Sequence, residues 1–212
     1  MNEDQLKYLN IAFYLSLITI FYNIIEGVVS VYFGIGDDTL ALLGFGIDSF
    51  VEVISGIGIA HMIIRMKTSE VDSRDKFERQ ALRITGFSFY LLAVGLIVGS
   101  VLNIIYENYP ETTVVGIIVS LISIFSMYFL MIYKLKVGNI LKSDAIIADA
   151  NCTKTCFYLS FVLFFSSGFY ELFNIGYIDI IGSLGIAFFA FQEGKESFEK
   201  AKSEHLSCSC EN

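Results

Sequence analysis

Apolar residues along this chain come in six long blocks, with neither the alternation of strands nor the heptads of a coiled coil. Each block has the ~20 residues that a helix needs to cross a bilayer core about 30 Å thick. They fall at roughly 9–34, 40–65, 82–106, 112–133, 144–168 and 174–192. The pattern predicts an all-α polytopic membrane protein built as a six-helix transmembrane bundle. The links 35–39, 107–111 and 169–173 are short, which makes consecutive helices antiparallel neighbours. The longest link, 66–81, reads MKTSEVDSRDKFERQA and is polar. The expected organisation is a transmembrane domain over 1–194 and a short tail over 195–212.

The basic residues orient the bundle. Thirteen of the 14 Lys and Arg lie at the N-terminus, in the link between the second and third spans, in the link before the fifth, or in the tail. The opposite links carry Asp37, Asp38, Glu107 and Glu111 instead. Positive charge accumulates on the cytoplasmic side of membrane proteins, so both termini are expected there. The fourteenth, Lys154, falls inside the fifth span.

Composition removes other classes. The chain of 212 residues is 55% hydrophobic and only 17% charged, with a net charge of −8. An acidic chain with no basic, aromatic-interleaved patch has no footprint for nucleic acid. Four cysteines at 152, 156, 208 and 210 make no disulfide framework. The acidic start MNEDQLK and the long first block do not resemble a cleavable signal peptide.

The candidate chemistry lies in polar residues that the bilayer should reject. Asp48 and Glu52 stand one helical turn apart inside the second block, ALLGFGIDSFVEVIS. Each mid-membrane charge costs about 2.5–3.5 kcal/mol on insertion scales, so such residues mark function. Their i, i+4 spacing puts both carboxylates on one face, half of a divalent-cation site. Glu26, Asp149 and Lys154 add to this concentration. Counting at 1.5 Å per residue from the expected cytoplasmic ends puts Glu52 about 18 Å deep and Asp48 about 24 Å deep. Thr155 and Cys156 come to about 18–20 Å, and Glu26 lies near the same layer.

The fifth span opens SDAIIADANCTKTC and carries two further i, i+4 pairs, Asn151/Thr155 and Cys152/Cys156, on adjacent faces. Sulfur suits Zn²⁺ and softer ions, whereas hydroxyl and amide oxygen suit harder ones. The pairs differ by about 100° around the helix, so only one can point squarely at Asp48 and Glu52. The choice stays open between them. For Lys154, an ion pair with Glu26 or Asp149 competes with a proton-coupled role. Asp179 is expected to be a polar flank and His61 an interfacial histidine. His205, Cys208 and Cys210 could bind Zn²⁺ or Cu⁺ weakly in the tail.

These residues carry a resemblance. The stretch from Asn23 through Gly34, then TLALLGFGIDSFVEVIS, resembles the first two spans of the cation diffusion facilitator family. That family's second span bears a DxxxD metal pair, which here reads Asp48-xxx-Glu52. SDAIIADA followed by Asn151 is similar to the start of the family's fifth span, and YIDIIGSLGIAFFAFQEGKESFEKA to its last helix. The resemblance implies proton-coupled export of a divalent metal from the cytosol by a dimer. It departs at Asn151 and Thr155, which stand where the family has His or Asp. The family's cytoplasmic metal-binding domain is also expected to be absent here.

The expected function is export of Zn²⁺ or a similar transition metal across the cell membrane, with the metal as cargo and no resident cofactor. An intramembrane thiol redox enzyme using Cys152 and Cys156 is a competing class, but it leaves Asp48 and Glu52 without a task. A non-transporting metal sensor is another. Besides the ion and the bilayer, the expected partner is a second copy. It would be joined through the small residues Gly86, Gly95, Gly99 and Ser100 of the third span.

Overall fold

The computed structural model describes residues 3–68, 74–107, 109–111 and 113–202. They form six helices and no strand: α1 (Glu3–Gly36), α2 (Leu40–Thr68), α3 (Arg74–Tyr106), α4 (Val114–Leu141), α5 (Asp144–Phe173) and α6 (Tyr177–Lys202). The helices outrun the apolar blocks. At 34 residues, α1 is about 51 Å long, well beyond the hydrocarbon thickness. Two links shrink as a result. The expected link 169–173 is helical and the turn falls at 174–176, while the link before the fifth span is reduced to Lys142 and Ser143. Nothing in KLKVGN forbids helix, and the helical backbone satisfies its own hydrogen bonds whether or not the side chains are apolar.

Five helices are long and apolar enough to cross a membrane. The sixth is not, because α6 holds Asp179 near its start and the polar run QEGKESFEK in its second half. It also passes the expected domain boundary at residue 194, continuing to Lys202. The cluster His205, Cys208 and Cys210 lies outside the described residues.

Tight turns join the helices. Asp38, Glu107, Lys142 and Asn174 adopt the left-handed conformation, with φ between 48° and 53°. At the α4–α5 turn the Lys142 N–H donates to Asn139 O and the Ser143 N–H to Gly138 O. Ser143 then caps α5 by accepting from the Ile146 N–H.

The helices associate chiefly as α1–α2, α3–α6 and α4–α5. The α1–α2 contact is backbone-close: a Cβ on Gly34 would fall 2.6 Å from the Leu43 nitrogen, and one on Gly46 would fall 2.8 Å from the Val31 nitrogen. Removing side chains at such crossings lets helices approach within dispersion range, the main attraction available in lipid. It also fixes Asn23 and Glu26 of α1 beside Asp48 and Glu52 of α2.

Two expectations change here. The small residues of the third span serve packing within the chain: Gly86 faces Phe198 and the Gly194 carbonyl of α6, Gly99 faces Leu40, and Ser100 hydrogen-bonds Ser183 at 2.8 Å. Only Gly95 of that stripe has open space beside it. Asp179 is more than a polar flank. It is 1% exposed and accepts from the backbone N–H groups of Leu40 at 2.9 Å and Ala41 at 3.2 Å, so an acid of α6 caps α2.

Candidate metal centre

Two apolar layers bracket the middle of the bundle. One, toward the α1–α2 and α3–α4 turns, includes Leu42, Phe45, Leu96, Leu163 and Ile186. The other, toward the termini, includes Leu9, Ala12, Met62, Ile63, Val137 and Ile146. Between them α2 presents Asp48 and Glu52 toward α5, as their spacing requires. Cys156 of α5 meets them: its thiol donates to Glu52 Oε1, and its sulfur lies 3.7 Å from Asp48 Oδ2. One donor atom from each of the three lies within 4.8 Å of the others, and all three residues are buried. Tetrahedral Zn²⁺ with bonds of about 2.0–2.3 Å holds its ligand atoms about 3.5 Å apart, and the Cys156 sulfur already stands at about that distance from Asp48 Oδ2.

The surroundings hold the carboxylates in place. The Asn23 amide donates to Glu52 Oε2 at 2.8 Å. Glu26 accepts from the Tyr22 hydroxyl at 2.9 Å and from Ser49 Oγ at 3.0 Å, which ties α1 to the residue beside Asp48. Asp48 Oδ1 is different: it is buried and has no hydrogen-bond partner among the described residues. A buried carboxylate oxygen without a partner costs free energy unless something binds it, and a cation in the trio would do so.

The remaining sequence candidates scatter. Asn151 is exposed and Cys152 half-buried, and neither joins the trio. Thr155 turns toward α6 and donates to Glu193 Oε1 at 2.5 Å. Cys152 and Cys156 are not joined in a disulfide. Lys154 pairs with neither Glu26 nor Asp149; it is exposed, and its ammonium lies 5.8 Å from the Tyr158 ring centre. Asp149 has a different partner, Lys134 of α4, at 2.8 Å, and Lys134 also donates to Thr153 Oγ1 at 2.9 Å. Lys154 faces away because Asp149 and Lys154 are five residues apart, on different faces of α5, whereas Asp149 and Thr153 share one.

Lys134 and Glu193 are therefore the residues that sequence reasoning missed. Both stand just past the end of an apolar run and read as cytoplasmic flanks, yet they are 1% and 6% exposed. Lys134 is close enough to Glu52, and Glu193 to Asp48 and Cys156, for their charges to interact. A usable signal did exist: no proline follows either apolar run, so both helices can continue.

The family model of the cation efflux transmembrane domain matches residues 12–204, nearly the whole chain. No curated protein matches it. Members of this family are transporters, which removes the thiol redox reading. The chain belongs to the cation efflux transmembrane domain family, as an integral multi-pass membrane protein that moves metal cations.

Proposed function

We propose that this protein exports Zn²⁺ or a closely similar transition metal from the cytosol across the cell membrane in exchange for protons. The termini lie in the cytoplasm, and Asp48, Glu52 and Cys156 are the primary ligands. The observation that carries this reading is the buried trio itself, in which two carboxylates and one thiol from α2 and α5 converge between two apolar layers. Two oxygens and one sulfur favour Zn²⁺ and Cd²⁺ over Mn²⁺ and Mg²⁺, because sulfur binds borderline and soft ions far better than hard ones. Proton exchange follows from coordination chemistry: the ligands bind metal only when deprotonated, so protons and metal compete for the same atoms. Asn23 and Glu26 orient the oxygen half of the site, and Lys134 supplies the nearby positive charge.

Assembly as a homodimer through the membrane helices belongs to the same reading. The face offered is the apolar groove between α2 and α3, lined by Leu43, Ile47, Leu91 and Gly95, where the stripe of small residues is still open. Cross-linking in native membranes that yields only monomer would remove this part.

The test is uptake by proteoliposomes over a panel of Zn²⁺, Cd²⁺, Co²⁺, Ni²⁺, Fe²⁺ and Mn²⁺. Asp48→Ala is expected to abolish flux while the protein still inserts, since losing a buried acid relieves an insertion cost. Acidifying the side from which metal binds is expected to slow flux. Wild-type transport by Asp48→Ala would end the proposal.

A further inference from the structure

The mid-membrane acid of α6 has no part in the ligand trio, yet it touches the helix that supplies the sulfur. Glu193 is 6% exposed and accepts a hydrogen bond from Thr155 Oγ1 at 2.5 Å, and Thr155 immediately precedes Cys156. Glu193 lies outside the set of donors that are mutually within 4.8 Å, so it is not a fourth ligand in this arrangement. We infer that Glu193 is a positioning residue for metal selectivity: through Thr155 it sets the roll of α5 that presents the Cys156 sulfur to Asp48 and Glu52.

Helix geometry gives the lever. Neighbouring residues on a helix are separated by about 100°, so fixing the direction of Thr155 fixes that of Cys156. A roll of about 20° moves an atom about 5 Å from the axis by nearly 2 Å, comparable to a whole metal–sulfur bond. The opposite error has a visible competitor, because a roll in the other sense would bring the Thr155 hydroxyl toward the carboxylates in place of sulfur. The α6 anchor is well placed to resist that roll. Gly194, next to Glu193, lies against the Gly86 carbonyl and the Tyr90 ring of α3, which seats this part of α6 tightly. A second bond fixes the other side of Cys156: Ser160, one turn further on, donates to Ser123 of α4 at 2.9 Å. The sulfur-bearing face of α5 is thus pinned to α6 on one side and to α4 on the other.

The inference rests on the donor set proposed above, and the test separates the two. Cd²⁺ and Mn²⁺ uptake are compared in proteoliposomes of wild type, Thr155→Val, Glu193→Leu, Glu193→Gln and Cys156→Ser, each checked for monodispersity in detergent. Thr155→Val and Glu193→Leu should lower the Cd²⁺ to Mn²⁺ ratio about tenfold through a higher KM for Cd²⁺, since only the soft-ion donor is displaced. Glu193→Gln keeps an oxygen acceptor for Thr155 and should stay within about twofold of wild type. If Glu193→Gln falls as far as Glu193→Leu, the charge matters and positioning is overturned. A lowered ratio in Cys156→Ser beside a wild-type ratio in Thr155→Val overturns the positioning role alone. A wild-type ratio in Cys156→Ser instead removes sulfur from the site and overturns the donor set with it.

Discussion

The two ends of the bundle are closed by different means. At the end bearing the α1–α2, α3–α4 and α5–α6 turns, hydrogen bonds to backbone run between neighbouring elements. Asp179 caps α2, Glu171 accepts from the Thr113 N–H at 2.5 Å, the Glu111 N–H donates to Asp37 O at 3.0 Å, and Tyr170 donates to the Pro110 carbonyl. At the end bearing the termini, α4 and α5 are joined by a buried ion pair, Lys134–Asp149, with Thr153 beside it. The first end shares its stability over many bonds, each of modest value. The second includes a buried pair of charges whose separation would leave both uncompensated beside an apolar layer.

Removing one charge is the largest expected perturbation. Lys134→Met strands Asp149 in the apolar layer and should cost about 3–5 kcal/mol of stability, measured by denaturant unfolding in detergent. Adding Asp149→Leu should restore most of that loss, because a well-packed apolar pair replaces a buried ion pair at little net cost. If the single and double variants are equally unstable, the pair is not what closes that end. At the opposite end, Asp179→Ala should cost about 1–2 kcal/mol, the usual value of a lost cap. Faster hydrogen exchange at Leu40 and Ala41, with α4 and α5 unchanged, would show the effect staying local. The smallest change sharpens the contrast at the turns. Lys142→Gly should stabilise by up to about 1 kcal/mol, since a lysine held left-handed is strained. Asn174→Gly should do less, because asparagine tolerates that conformation.

The carboxylates of the candidate site stand out in the sequence, whereas the cysteine that the fold brings beside them does not. Asp48 and Glu52 stand out because an apolar run gives carboxylates no other reason to be there. Whether Asn151 and Thr155 or Cys152 and Cys156 face them depends on the roll of α5, which spacing does not encode. Six helices and their order followed from hydropathy, but their ends did not. Burial continues past the point where apolarity stops, because polar residues such as Lys134 and Glu193 are buried against partners on other helices. Asp179 was invisible as a cap for a related reason, since its acceptors and the donors of Leu40 and Ala41 lie 139 and 138 residues apart. Local pattern shows which residues are unusual, and only tertiary contact shows what each one answers.

The grouping of the helices into three pairs gives the site a mechanical character. The glycine crossings of Gly34 and Gly46 make α1 and α2 a single stiff plate that carries Asp48, Glu52, Asn23 and Glu26 together. Cys156 rides on the α4–α5 plate and Glu193 on the α3–α6 plate. On the donor set proposed above, an ion held between oxygen and sulfur would act as a rivet through a seam between plates. A slip of about 1 Å along that seam is half a metal–ligand bond length, enough to loosen the ion while every helix stays whole.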